Sequence, residues 1–195
     1  MRLITRVALL ALLVVPTSVG AEELISTLKL DGLSFVSFGD RQVLLLPSGS
    51  QIKLHFSPPA SDGSASFTIA PADVSIAPIP LDGGQTLQYS LASPASGSMR
   101  PTASGRRLDF NATIRATLSG GPNDGTFSYA MPFTTEQVAA PSADGTPGVS
   151  VTGMRLVDSV WYAQVVGATT NKDNAFPEPG AAVYTVLSGS FDRVP

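Results

Sequence analysis

The stretch from Leu108 to Leu118, Leu-Asp-Phe-Asn-Ala-Thr-Ile-Arg-Ala-Thr-Leu, alternates without a break. Leu108, Phe110, Ala112, Ile114, Ala116 and Leu118 are apolar, and Asp109, Asn111, Thr113, Arg115 and Thr117 between them are polar. A β-strand points successive side chains to opposite faces, so this segment has one dry face and one wet face. Burying its four large apolar side chains contributes about 6 to 12 kcal/mol. Ordering the backbone costs about 1 to 2 kcal/mol per residue. The strand therefore cannot stand alone and has to be paired within a sheet.

Shorter versions of the same rhythm lie on both sides: Ile52, Leu54 and Phe56; Phe67 and Ile69; Leu87, Tyr89 and Leu91; Phe127, Tyr129, Met131 and Phe133. Clusters of Gly, Pro, Ser and Asp bound each run and supply turn geometry. Further strands are read at 24–30, 33–38, 43–46, 74–79, 149–156, 160–166 and 182–188. The segments 160–166 and 182–187 are apolar on both faces, the pattern of central strands covered on both sides. Turns are read at 58–63, 81–84, 93–105, 120–125, 140–148 and 169–180, with the small-residue tracts 93–98 and 140–145 as loops or hairpin tips. No window beyond the leader keeps helical apolar spacing. The expectation is an all-β domain, an antiparallel β-sandwich of about ten strands with Greek-key connections, with a soluble β-barrel as the alternative. Aromatic residues make up 7% of the chain with a single Trp, which is thin for the two aromatic girdles of a membrane barrel.

The chain starts with Arg2 and Arg6, an apolar run from Val7 to Val15, then Pro16 and the small-residue exit around Val19 and Ala21. This reads as a cleavable signal peptide over residues 1–21, too short to span a bilayer, leaving a single domain over 22–195. Two of the 12 basic residues leave with it, so 10 basic residues face 15 acidic ones and the remainder carries a net −5. That balance disfavours nucleic acid and anionic membrane as partners. The chain has no cysteine, whereas eukaryotic secreted domains usually staple themselves with disulfides. A bacterial periplasmic or extracellular location is expected.

Chemistry-bearing motifs are sparse. His55 is the only histidine and falls on a wet face with Gln51, Lys53 and Ser57, so it reads as a solvated strand residue. Without cysteine there is no thiolate zinc site, and no Gly-x-Ser-x-Gly elbow occurs. Glu136, Asp158 and Glu178 are carboxylates that a glycosidase could use, but nothing in the sequence brings two together. Asn123, Asp124 and Asp144 read as turn residues rather than calcium ligands. Arg100, Arg106 and Arg107 read as charges that protect a sheet edge, and the Asn111-Ala-Thr113 glycosylation pattern reads as coincidence within a strand.

The functional expectation is an exported soluble β-domain with a non-enzymatic binding or structural envelope role, needing no cofactor or metal. Two alternatives stand beside it: a carrier of an apolar ligand or lipid inside a barrel, and a carboxylate-dependent carbohydrate-active hydrolase. The contact surface is expected in the 169–180 loop at Asn171, Lys172, Asp173, Asn174, Phe176 and Glu178, facing a protein, a glycan or a small apolar ligand.

Overall fold

The computed structural model describes residues 22–39, 42–103, 105–122, 124–135, 153–170 and 180–195. Over these residues the chain is strand and turn, with two single 3-10 turns at Pro71–Asp73 and Asp82–Gly84. The all-β expectation holds. The strands are β1 (Leu24–Leu30), β2 (Phe35–Phe38), β3 (Gln42–Leu45), β4 (Gln51–Phe56), β5 (Ala65–Ile69), β6 (Val74–Ser75) and β7 (Ile79–Pro80). They continue with β8 (Thr86–Leu91), β9 (Ala95–Thr102), β10 (Gly105–Ser119), β11 (Gly125–Thr134), β12 (Arg155–Val157), β13 (Val160–Thr170) and β14 (Ala182–Phe191). Fourteen strands among the described residues exceed the expected ten. The surplus comes mainly from two-residue pieces and from β9.

Every pairing is antiparallel, and eight strands close a ring: β1, β4, β5, β9, β10, β11, β13 and β14, which pairs back onto β1. The sheet is thus barrel-like, and closure removes the open edges of these strands. The remaining strands are attached to the ring. β2 extends from β14 and carries β3, β12 pairs with β13, and β6 pairs with β4. The long β10 serves β9 with its first half and β8 with its second, and β8 carries β7.

One inward row sets the interior. Cα register places Leu24, Phe56, Phe67, Gly97, Phe110, Phe133, Gly167 and Thr185 side by side across successive strands of the ring. The four Phe side chains are buried, with ring centroids 5.2 Å apart for Phe56 and Phe67, 5.9 Å for Phe67 and Phe110, and 4.6 Å for Phe110 and Phe133. Gly97 lies between Phe67 and Phe110. A Cβ there would come 2.3 Å from the Asp109 carbonyl oxygen, 2.5 Å from Phe110 Cβ and 2.6 Å from Phe67 Cζ, so the backbone of β10 and the two Phe side chains fill the place a side chain would take. Gly167 yields in the same way to Met131 and Phe133. Glycine inside a strand weakens it unless a neighbouring aromatic ring covers the gap, and here the rings do so.

This corrects the reading of 93–105 as a turn. Ser96, Gly97 and Ser98 form the middle of β9, paired on both sides, because the interior at that level has room only for hydrogen. Arg100 lies just past the β5–β9 ladder and Arg106 and Arg107 just before the β10–β11 ladder; there β9 and β10 pair with each other, and Arg106 also makes an isolated bridge to Met154. The expected central position of 160–166 and 182–187 is met in β13 and β14. Val166 and Val186 are buried on the outer side against Phe35. Along β10 the apolar set is inward and Asp109, Asn111, Thr113, Arg115 and Thr117 face outward, the reverse of a barrel whose apolar band faces lipid.

The ring closes between the first and last strands of the described chain. Leu28, Lys29 and Leu30 pair with Phe191, Ser190 and Gly189. The seam continues through a serine clasp: the Ser34 hydroxyl donates to the Ser188 carbonyl at 2.8 Å and accepts from the Ser188 N–H at 2.9 Å. Ser188 Oγ donates to Asp31 Oδ2 at 3.0 Å.

Two stability measurements test this account by urea denaturation. Gly97→Ala is expected to destabilise by about 1 to 3 kcal/mol, the usual penalty of overpacking a filled interior. Ser34→Ala should cost about 1 to 3 kcal/mol, because it leaves the buried Ser188 amide without an acceptor. Wild-type stability in the first variant would remove the close-approach argument, and in the second the clasp.

Candidate functional site: a polar trough across the outer face

Because the aromatic row points inward, the residues on either side of it along each strand point outward. One outer row runs His55, Thr68, Ser96, Asn111, Pro132 and the other Ser66, Ser98, Asp109, Thr134, each in Cα register across successive strands. Ser57 extends the second row past the end of β4. Its Oγ lies 2.9 Å from Ser66 Oγ, and its N–H donates to the Ser66 carbonyl. Between the rows lies a trough whose floor is the backbone of the aromatic row. It consists of two open hollows of about 650 and 540 Å3 that meet at Ser96 and Gly97. From β4 to β11 there are four inter-strand steps of about 4.8 Å, giving a length of about 19 Å. The rows are two residues apart along each strand, giving a width of about 7 Å.

The two ends carry different charge. At the β4 end, His55 Nδ1 lies 3.3 Å from Glu23 Oε1, and Nε2 lies 3.1 Å from Asp73 Oδ2. The second approach lacks hydrogen-bond geometry, which leaves Nε2 buried without a true partner, and Asp73 Oδ2 instead accepts from the Ala70 N–H at 3.2 Å. The reading of His55 as a solvated strand residue is therefore corrected: its side chain is 25% exposed and flanked by two carboxylates. Glu23 precedes β1 and Asp73 ends the 3-10 turn, and both reach His55 only through the fold.

At the opposite end Asp109 is held by three donors. Arg107 Nε donates to Oδ2 at 2.7 Å, an Arg100 Nη donates to the same oxygen at 3.3 Å, and Thr134 Oγ1 donates to Oδ1 at 2.7 Å. Burial alone would raise this carboxyl's pKa. The hydrogen bonds from Arg107 and Thr134 and the charges of Arg107 and Arg100 outweigh it and hold the group below its ordinary value.

Asn171, Lys172, Asp173, Asn174, Phe176 and Glu178, the expected contact loop, lie outside the described residues, as do Asn123, Glu136 and Asp144. Asp124 accepts from the Gly121 and Gly120 N–H groups at 2.7 and 3.2 Å and closes the β10–β11 connection, in keeping with its turn reading. Asp158 and Ser159, both at positive φ, form the β12–β13 turn. Among the described residues no three metal-ligating side chains gather. The trough escaped sequence reasoning because its two rows become neighbours only through register. The available signal was the run of Ser and Thr at 66–68 and 96–98, and half of that lay in a stretch read as a turn.

The depressed pKa of Asp109 has a direction for stability. A carboxyl lowered in the folded state contributes stability above its unfolded pKa, and that contribution is lost as pH falls through the folded value. Thermal melts of the wild type and Asp109→Asn should therefore differ most above about pH 4, the ordinary carboxylate value, and draw together as pH falls below it. Parallel curves over that window would separate Asp109 from the acid response. Comparison of the chain with family models, with curated proteins and with solved structures found no match.

Proposed function

We propose that this chain is an exported, non-enzymatic binding module that holds an extended polyhydroxylated ligand, glycan-like in chemistry, in the trough across β4, β5, β9, β10 and β11. The observation that carries the reading is the continuity of the trough: its two hollows join at Ser96 and Gly97, and its walls are rows of hydroxyl, amide, carboxylate and guanidinium groups. The floor favours a glycan over a peptide. β5, β9 and β10 are paired on both sides, so a peptide adding as a strand finds their backbone groups already engaged. Recognition falls to Ser66, Thr68, Ser96, Ser98, Asn111 and Asp109, which offer the mixed donors and acceptors that sugar hydroxyls need.

Glu23 and Asp109 line opposite hollows of the trough. A glycosidase needs its two carboxyl groups about 5 to 9.5 Å apart across the scissile bond. Glu23 sits against His55 on β4 while Asp109 lies on β10, three inter-strand steps or about 14 Å away, and Asp73, the acid nearer Glu23, does not line the trough. Binding without bond cleavage is the simpler role. Lipid carriage is less favoured, because the ring interior holds an apolar cavity of only about 40 Å3, whereas ligand pockets usually measure about 300 to 1,000 Å3. Export is supported by the leader-like residues 1–21 and the lack of cysteine, and a polar outer face on β10 suits a domain surrounded by water.

Each hydrogen bond to a sugar contributes only about 0.5 to 1.5 kcal/mol net, and no exposed aromatic ring lines the trough, so short ligands should bind at about millimolar affinity. Amide NMR titration with cellohexaose, chitohexaose and an acidic alginate hexamer tests this. One of them should shift Ser66, Ser96, Gly97, Ser98 and Asn111 saturably. Filling the trough by Ser96→Tyr should weaken that binding by about tenfold, equal to about 1.4 kcal/mol. Shifts confined to other surfaces, or none with any of the three, would remove the reading.

A further inference from the structure

The two hollows of the trough differ in the charges that line them. Arg100, Arg107 and Asp109 line the hollow over β9, β10 and β11. The hollow over β4, β5 and β9 is lined by Glu23, with no Lys or Arg among its lining residues. The trough is therefore polarised along its length, and an anionic group on a ligand is drawn to one end and repelled from the other.

At the guanidinium end, strand pairing sets two like charges side by side. Arg100 on β9 and Arg107 on β10 are Cα partners, and like charges directly opposite each other cost stability unless an anion stands between them. Asp109, two residues along β10 on the same face, supplies that anion and divides itself unevenly. Arg107 Nε and Thr134 Oγ1 each donate to it at 2.7 Å, whereas Arg100 reaches it through one Nη at 3.3 Å. A guanidinium carries five N–H donors in a planar fork. The contact with Asp109 uses one of them, and the Arg100 side chain is 58% exposed, so most of its donors are open to the hollow it lines. A carboxylate matches such a fork with two parallel hydrogen bonds. Ser98 and Asn111 line the same hollow and offer a hydroxyl and an amide to ring hydroxyls, which a bare inorganic anion would leave unused. Acidic residues outnumber basic ones over the chain, 15 against 12, so a long polyanion is repelled where a single acidic unit is held locally.

We propose that the hollow over β9, β10 and β11 is a subsite for an anionic sugar, a uronate whose carboxylate is taken by the Arg100 guanidinium while its hydroxyls meet Ser98 and Asn111, so that an acidic glycan lies with its anionic unit at this end. The proposal rests on the glycan reading of the trough and narrows it. The probes are methyl glucuronoside, its neutral counterpart methyl glucoside, and sodium sulfate, each titrated against the full chain by amide NMR. The glucuronoside should shift Ser98, Asn111 and Thr134 saturably and leave Ser57 and Thr68 in place. It should bind about two- to fivefold more tightly than the glucoside, the worth of one solvent-exposed ion pair. That gap should close as salt is raised from about 0.01 M to about 1 M. In Arg100→Gln, which removes the charge and leaves Asp109 with Arg107 and Thr134, the gap should vanish, and unchanged amide shifts away from β9 and β10 would show that the variant is folded. The proposal is overturned if the two glycosides bind the wild type equally, if the glucuronoside gathers at Ser57 and Thr68, or if sulfate reproduces its shifts with equal affinity. Binding of neutral hexamers along the trough without a preference for the glucuronoside would leave the glycan reading standing and remove the acidic subsite, whereas absence of all sugar binding would remove both.

Discussion

The structure depends on the pairing of its first described strand with its last. β1 meets β14 through Leu28, Lys29 and Leu30, and without that seam the ring opens into a sheet with two raw edges. Gly189 makes the approach possible, since a Cβ there would come 2.1 Å from the Lys29 carbonyl oxygen. Ser34, Ser188 and Asp31 then fasten the seam with side-chain hydrogen bonds, and the Asp192 carboxylate accepts from the Thr27 N–H at 2.7 Å.

Closure explains the division between inside and outside. Around a closed ring every strand must turn one face inward, so a single register decides the fate of whole rows of side chains. The row of Phe56, Phe67, Phe110 and Phe133 fills the interior while the rows beside it form the walls of the trough. The inward rings and the outward hydroxyls are consequences of one alignment, and Gly97 serves both: it gives the rings their space and contributes the part of the floor where the two hollows meet. A one-residue slip in β9 would bury Ser96 or Ser98 and expel the gap that the rings occupy.

The attached strands show where the ring is less guarded. β3 pairs only with β2 and exposes Val43 and Leu45, while Leu156 and Tyr162 are exposed on the β12–β13 hairpin. β6 and β7 hold on by two residue pairs each, and Val74 and Ile76 from that segment line an apolar cavity of about 40 Å3. Stability is therefore uneven, greatest along the ring ladder and least in these appendages.

The alternation of Leu108 to Leu118 was enough to establish a strand with one dry face, and the same rhythm located β1, β4, β8 and β11 closely, because side-chain direction in a strand is a local property of the backbone. The apolar-on-both-faces character of 160–166 and 182–187 likewise announced β13 and β14 as central. Nothing local announced β9: Ser, Gly and Pro are turn residues by propensity, and it is the close approach of Asp109, Phe110 and Phe67 on the neighbouring strands that makes Gly97 a strand residue. The trough was hidden for the same reason. His55 acquires Glu23 and Asp73, and Asp109 acquires Arg100 and Thr134, from segments brought alongside by strand pairing, and strand pairing is a non-local choice that the order of residues does not display. The sequence by itself determined which faces are dry; the tertiary structure decided which strands share them, because ring closure fixes all the registers together.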